Sequence, residues 1–260
     1  MIEIVYQDEF IVAINKPSGL LVHRSLIDKH ETRFAVQLIR DQIGQKVYPV
    51  HRLDKPTSGI LVFALNSEIA RLLTAQFTEG HIQKQYIAVV RGHCEEEGII
   101  DYALKEQLDK LADALAEPDK PAQEALTYYQ CLNRIELPIA VGRYSSARYS
   151  LLALQPKTGR KHQLRRHMKH ISHPIIGDTT HGDGRQNTLF RTHYGCQRLL
   201  LHATHLRLTH PKHDKTLTLY APLTADFEVL LEQCGLAAPN HYITMLNASD
   251  SCSRLTEVFP

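Results

Sequence analysis

The stretch Val50-His-Arg-Leu-Asp-Lys-Pro-Thr-Ser-Gly59 places one carboxylate, Asp54, in a turn that leads directly into an apolar run. That run, residues 59–65, has the composition of a buried strand. A rigid strand fixes the residues just before it, so Asp54 is well placed for catalysis. The alternative is a turn aspartate that only hydrogen-bonds its own loop, which is the commoner fate of Asp beside Pro and Gly. Both interpretations stay open on these residues alone.

Strands dominate the predicted secondary structure of the remaining chain. Alternating or apolar runs predict strands at residues 2–6, 10–14, 82–90, 126–132, 149–154, 199–208 and 216–220. Helical spacing predicts helices at 32–43, 160–171 and 224–234, and one that Ser67 caps and that ends before Gly80. Many strands with few helices between them favour an α+β fold on a mixed or antiparallel sheet. We expect one domain at 1–237, with an acidic surface insertion at 95–125 and a weakly ordered tail at 238–260.

The formal net charge of +2 conceals an uneven distribution. Residues 95–124 contain ten acidic residues and three lysines, a local charge of −7, which leaves +9 for the rest of the chain. Residues 157–170 hold six Lys or Arg, three His and no acid. A polyanion is the first interpretation, because each phosphate contact releases counterions, and a helix starting near Thr158-Gly159 would add its own N–H groups. The alternative is an ordinary solvated helix face.

The predicted helix at 160–171 separates its side chains into two faces. One face is apolar and the other is cationic, the latter formed by His162, Arg165, Arg166 and Lys169. An arginine on this face could pair with Asp54 and keep it ionised. A plain amphipathic surface helix would show the same pattern.

Lys84 and Tyr86 lie on one face of the predicted strand at 82–90, together with Ala88 and Val90. An aromatic ring beside a lysine could stack a nucleobase while the lysine binds a phosphate. More often, a tyrosine in a strand packs in the core with its hydroxyl at the rim.

Several classes of protein are disfavoured. Neither the His202/His205 pair nor the His170/His173 pair has a carboxylate at a matching spacing, and there is no HExxH helix, so no metal is expected. The absence of a P-loop or GxGxxG motif predicts no nucleotide cofactor. No window reaches the roughly 18 apolar residues of a membrane span, and the N-terminus does not resemble a secretory signal. Five scattered cysteines favour a reducing compartment, with the cytoplasm as the default.

Six segments, in order, resemble the RluA-type pseudouridine synthases over roughly residues 1–225. They are Asn15-Lys-Pro-Ser-Gly19, His51-Arg-Leu-Asp54 with Thr57-Ser-Gly59, Lys84-Gln-Tyr86 before Arg91-Gly92, Thr158-Gly-Arg-Lys-His-Gln-Leu-Arg165, His173-Pro-Ile-Ile-Gly-Asp178 and Arg198-Leu-Leu-Leu-His-Ala203. The HRLD-x-x-TSG and TGR-x-HQLR blocks are each specific, and their occurrence in this order makes an accidental match very improbable.

The resemblance implies a mixed, largely antiparallel sheet with a central RNA-binding cleft flanked by helices and loops. It implies that Asp54 is the essential aspartate, Tyr86 the active-site tyrosine, and Arg165 the arginine that pairs with the aspartate. Arg52 matches the residue that enters the RNA stack where the target base leaves. We expect further RNA contacts from Lys84, Arg160, Lys161 and Arg166. The reaction implied is isomerisation of uridine to pseudouridine in structured RNA, with no cofactor and no metal.

The substrate is less sharply indicated. The chain starts directly in the catalytic domain, and residues 179–187 carry His181 where many relatives have tyrosine. Both features are similar to tRNA-directed members of the family, so tRNA is favoured over ribosomal RNA, with a target of the uridine-65 type and a monomeric enzyme. The alternatives are the same reaction on ribosomal RNA, a non-catalytic RNA-binding module, and a glycosidase, which the lack of a second carboxylate beside Asp54 disfavours.

Overall fold

The computed structural model describes residues 1–24, 31–106 and 120–237. The strands within these ranges are β1 (Ile4–Gln7), β2 (Ile11–Lys16), β3 (Tyr48–Pro49), β4 (Ser58–Ala64), β5 (Gln83–Arg91), β6 (Glu97–Asp101), β7 (Leu126–Leu137), β8 (Ala147–Pro156), β9 (Leu201–Thr209) and β10 (Thr216–Tyr220). The helices there are α1 (Ala35–Ile43), α2 (Ser67–Thr78), α3 (Gln163–His170), α4 (Gly184–Tyr194) and α5 (Ala225–Cys234).

All ten described strands belong to one sheet, in the order β1-β2-β4-β9-β5-β8-β7-β6, with β10 paired to β9 and β3 to β4. Only β4 and β9 run parallel among the described pairs, so the predicted mixed, largely antiparallel α+β fold is confirmed. Gly59 makes the parallel pair possible. Its φ is +110°, and a Cβ there would lie 2.1 Å from the carbonyl oxygen of Ala203, so no other residue fits.

Helices cover both faces of the sheet. On β5, Ile87 and Val89 point to a core shared with α4 and α5, while Ala88 and Val90 point to a core shared with α3. Tyr86 packs on the α3 side, as the alternation predicted. Strand β4 is buried along its whole length, so the residues that precede it start from a rigid support.

The local predictions needed three corrections. Asn66 caps α2 instead of Ser67, because its side-chain oxygen accepts the Ile69 N–H at 2.9 Å. Helix α3 begins at Gln163 and not at 160, because His162 adopts the left-handed conformation with φ 54°. The segment 178–195, for which no helix was predicted, contains helix α4. Gln186 and Asn187 form part of the buried face of α4, so its apolar periodicity is weak.

The predicted acidic insertion lies at the sheet edge. Its residues 97–101 form β6, which pairs with β7, and Leu104 bridges to Gln123. Residues 107–119, and the predicted tail at 238–260, lie outside the described residues. Within the described ranges, no helix combines the length and the apolarity needed to cross a bilayer.

Candidate active site

The four side chains of the segment His51–Asp54 lie in different environments. His51 accepts the Val62 N–H at 3.0 Å and stacks on Phe77 with ring centroids 4.5 Å apart. Burial, followed by the nearby charge of Lys84, lowers the pKa of His51 to about 3, so the ring stays neutral and accepts this hydrogen bond. Leu53 is buried in the core, while Arg52 is exposed. Asp54 therefore follows residues that are held by contacts with β4, with α2 and with the core.

A second loop, residues 17–20, braces the turn that holds Asp54. The fully buried Lys16 amine donates to the carbonyls of Pro17, Leu20 and Lys55 at 3.0, 2.8 and 3.1 Å. The Lys55 carbonyl also accepts the Gly19 N–H at 2.9 Å. Burial lowers the pKa of Lys16 to about 7, against the opposing pull of the Asp54 charge. Lys16 occurs in one of the six recognised segments, but sequence reasoning gave it no role.

Arg165 joins two aspartates. Its Nη1 lies 3.1 Å from Oδ2 of Asp54, while its Nε and Nη2 donate to the two carboxylate oxygens of Asp178 at 2.7 and 2.8 Å. The side chain of Arg165 is 5% exposed, that of Asp178 is 1% exposed and that of Asp54 is 21% exposed. The predicted contact between Arg165 and Asp54 is therefore present. However, Arg165 is buried and does not belong to an exposed cationic face.

Asp178 was not predicted as a site residue, although it ends one of the recognised segments. Burial opposes its ionisation, but hydrogen bonds from Arg165 and from the His181 backbone hold the pKa of Asp178 below its usual value. Its Oδ1 also accepts the Thr180 N–H at 2.9 Å. A bidentate arginine–carboxylate pair is rigid, so Asp178 fixes the direction in which Arg165 presents Nη1 to Asp54.

Helix α4 holds this part of the site in place. The Asn187 amide nitrogen donates to the Asp178 carbonyl, and its side-chain oxygen accepts the Gly177 N–H, both at 2.8 Å. Gly177 has φ +80°, and a Cβ there would meet the Arg198 carbonyl at 1.8 Å. The buried face of α4 is half polar, and for that reason the sequence pattern did not predict this helix. The same face supports Asp178.

Tyr86 is half-buried on β5 between the core beside α1 and the core beside α3. Burial, with a further contribution from the charge of Asp54, raises the pKa of Tyr86 well above its usual value. The phenol is therefore protonated at neutral pH. It can stack on a base or donate a hydrogen bond, but it is not a ready proton acceptor in the free protein.

The predicted RNA-contacting residues differ in their exposure and in their contacts. Arg52 and Arg160 are exposed, and the Arg160 Nε donates to the Glu124 carbonyl at 3.0 Å. Lys161 and Arg166 are half-buried. The Lys84 amine donates to the Thr158 carbonyl at 3.1 Å, so it also helps to hold the turn before α3. The helical N–H groups expected near Thr158-Gly159 are absent there, because α3 starts only at Gln163.

The histidine pairs considered as metal ligands have other partners. His202 Nδ1 lies 2.8 Å from Ser58 Oγ, and His173 Nδ1 lies 2.7 Å from the Arg91 carbonyl. Across residues 1–24, 31–106 and 120–237, no group of three or more His, Cys, Asp or Glu could hold a metal ion.

Comparisons with known proteins agree on one family. The model of the RNA pseudouridylate synthase family matches residues 10–170. A tRNA pseudouridine synthase C of Yersinia pestis is 58% identical over 235 residues, which cover 90% of this chain and 91% of that protein. A protein of the same name from Vibrio cholerae is 57% identical over 90% of this chain and 96% of its own length.

Solved structures agree with the fold. Human RNA Pseudouridylate Synthase Domain Containing 4 superposes with a TM-score of 0.67 and 28% identity, covering 92% of this chain and 95% of that one. Human RNA Pseudouridylate Synthase Domain Containing 1 gives a TM-score of 0.69 at 24% identity, covering 95% of both chains, and supports the fold alone.

Proposed function

Since the chain belongs to the RNA pseudouridylate synthase family, we propose that it isomerises a uridine of tRNA with Asp54 as its catalytic carboxylate. The chain is an RNA pseudouridine synthase. The tRNA substrate is supported by the names of the relatives from Yersinia pestis and Vibrio cholerae. The role of Asp54 is supported by one observation above all: its carboxylate contacts the buried Arg165 and is still partly open to solvent.

The reaction breaks the N1–C1′ bond of uridine, rotates the base and joins C1′ to C5. N1 gains a proton and C5 loses one. Positive character develops at C1′, as in glycoside hydrolysis, and an ionised carboxylate can stabilise, trap or deprotonate that species. One carboxylate suffices because the base returns and no water has to be activated. Asp178 is not a second catalytic carboxylate, since both of its oxygens bind Arg165 inside the protein.

The other site residues serve binding. The target uridine must leave its helix, and unstacking costs a few kcal/mol that phosphate contacts and Arg52 would offset. Tyr86 would stack on the uracil or donate a hydrogen bond to it. Arg160, Lys161 and Arg166 would contact the RNA backbone, together with Lys84, whose ammonium has further N–H groups besides the one that binds Thr158. We propose no cofactor and no metal, so EDTA should leave the rate unchanged.

Within tRNA we propose a target of the uridine-65 type and a monomeric enzyme. Ribosomal RNA is the second candidate substrate. Pseudouridine mapping in tRNA and ribosomal RNA from a deletion strain tests both candidates, with wild-type and Asp54→Asn genes returned separately. We expect one tRNA pseudouridine to disappear and only the wild-type gene to restore it. Loss from ribosomal RNA with tRNA intact would reject the tRNA assignment. Failure of the purified protein to release tritium from 5-³H-uridine tRNA would do the same.

A further inference from the structure

A pair of histidines adjoins the two aspartates that share Arg165. His162 Nδ1 lies 3.0 Å from His181 Nε2, and His162 Nε2 lies 3.8 Å from Oδ2 of Asp54. The backbone N–H of His181 donates to Asp178 Oδ1 at 2.9 Å. The contacts therefore close a ring that runs from Asp54 through Arg165, Asp178, His181 and His162 back to Asp54.

His162 is held in an unusual conformation. Its φ of 54° lies in the left-handed region, which side-chain-bearing residues seldom adopt, and it stands immediately before α3. Such conformations persist where the surroundings impose them, and they cluster at functional sites. Here the imidazole lies between Asp54 and His181, and α3 begins only after His162, later than predicted.

We propose that His162 is a positioning residue that donates from Nε2 to Oδ2 of Asp54, and that His181 sets the tautomer of His162. This inference rests on the proposed role of Asp54. In this arrangement, His181 donates from Nε2 to Nδ1 of His162. The single ring proton of His162 is then on Nε2, the nitrogen that faces Asp54.

The number of ring protons limits the possible tautomers. A neutral imidazole has one N–H and one acceptor nitrogen, so the pair can bond in only two directions. If His162 donated to His181, its Nε2 lone pair would face an ionised carboxylate, which is repulsive. The opposite direction gives every atom between His181 and Asp54 a complementary partner.

Burial favours the neutral form of both rings in the free protein. Burial lowers the pKa of His162, against the charges of Asp54 and Asp178 and together with those of Arg165 and Lys161. Burial also lowers the pKa of His181 to about 4, with Asp178 opposing and with Arg165, His162 and Lys169 reinforcing the effect. Neutral rings make the choice of tautomer matter, because an imidazolium would carry a proton on both nitrogens.

The consequence for Asp54 is that its two oxygens differ. Arg165 and His162 both approach Oδ2. Two donors on one oxygen would fix the rotation of the carboxylate and direct Oδ1 away from both of them. The 3.8 Å between His162 Nε2 and Asp54 Oδ2 is longer than a hydrogen bond, and catalytic contacts of this kind often shorten once substrate is bound.

The test compares two substitutions of His181. In His181→Gln an amide N–H can still donate towards His162 Nδ1, whereas His181→Leu removes the donor at similar volume. Single-turnover rates at saturating RNA, RNA affinity and thermal midpoints are measured for both, with the exposed His193→Leu on α4 as a control. We expect His181→Leu to slow the reaction about 10- to 100-fold at pH 8, with unchanged affinity, and His181→Gln to recover most of the rate.

The pH profile separates a tautomer defect from a packing defect. Protonation of His162 places a hydrogen on Nε2 whatever its neighbour does, so the deficit of His181→Leu should shrink progressively as the pH falls below the ordinary histidine pKa of about 6.5. A deficit that is equal for the Leu and Gln variants and constant with pH would overturn the proposal, and so would the absence of any deficit.

Substitution of His162 provides a second comparison if His181→Leu fails to fold. His162→Gln retains a donor for Asp54, and His162→Leu does not, so only the Leu variant should lose about 10-fold or more in rate. Equal rates for these two variants would reject the donor role. Asp54→Asn separates failure of the proposed function from failure of the histidine proposal. If Asp54→Asn stays active, the proposed function fails, whereas an inactive Asp54→Asn beside normal histidine variants rejects only the role of the two histidines.

Discussion

Asp54 and Asp178 bind the same guanidinium in opposite environments. Asp178 is enclosed, with Nε and Nη2 of Arg165 on its two oxygens and two backbone N–H groups, from Thr180 and His181, on Oδ1. Asp54 is 21% exposed and meets Arg165 through a single nitrogen, Nη1, at 3.1 Å. Asp178 is closed to a substrate because its side chain is 1% exposed and accepts four hydrogen bonds from the protein, whereas Asp54 is still partly open to solvent.

The contrast shows how one arginine can serve two purposes. Asp178 offsets the free-energy cost of burying Arg165, because an unpaired charge at this depth would strongly destabilise the fold. The orientation thus fixed then provides Asp54 with a directed cation. Environment, and not residue type, separates the structural carboxylate from the reactive one, as it does in other sites that contain two carboxylates.

The largest expected effect is on the open aspartate. Asp54→Asn keeps the shape of the side chain but removes the charge that stabilises or attacks C1′. We expect tritium release to fall by about 1,000-fold or more, with RNA affinity and the thermal midpoint nearly unchanged. Single-turnover assays and thermal unfolding measure the two quantities. Activity within about tenfold of wild type would remove Asp54 from the mechanism.

Removal of the shared cation should affect both aspartates together. In Arg165→Ala, Asp178 is left as a buried charge without its partner, which typically costs about 3–5 kcal/mol of stability. The maximal rate should also fall by about 100-fold, because Asp54 loses its directed partner. Arg165→Lys keeps the charge but cannot bind Asp178 in a bidentate manner while reaching Asp54, so it should recover stability more than rate. Full recovery of rate in Arg165→Lys would show that the fork geometry is unimportant.

The enclosed aspartate should show a stability defect that depends on pH. The pKa of folded Asp178 lies below its usual value, so its contribution to stability is present above about pH 4 and is lost as the pH falls through the folded value. Asp178→Asn should therefore destabilise the protein by a few kcal/mol at pH 7 and lose less on acidification than wild type does. Urea unfolding between about pH 3 and pH 7 measures the difference. Parallel curves for the two proteins would contradict the assignment.

The same contrast explains what the sequence could and could not predict. The buried strands and the position of Asp54 in the turn before β4 were predictable, because apolar runs mark such strands. The catalytic role of Asp54 is implied by the family resemblance and stays a prediction. The roles of Asp178 and Lys16 were not predictable, since a buried polar group acquires its partners only from tertiary contacts. Helix α4 was missed for the same reason: Asn187 on its buried face serves Asp178 and interrupts the apolar pattern. The orientation of Arg165 depends on Asp178, so a helical wheel could not distinguish it from Arg166.

The smallest expected effect concerns that last pair of neighbours. Arg166 is half-buried, and its Nη1 lies 3.5 Å from the Lys161 carbonyl, whereas Arg165 makes charged contacts with two aspartates. Arg166→Ala and Lys161→Ala should each weaken RNA binding several-fold. They should reduce the slope of log affinity against log salt by about one for each phosphate that the protein no longer neutralises, with the rate at saturating RNA unchanged. Arg165→Ala should change the rate and leave the slope as it is. If all three variants shift the slope equally without a rate effect, residues 160–171 act as one uniform cationic face. The distinction between the site arginine and the binding arginine would then be wrong.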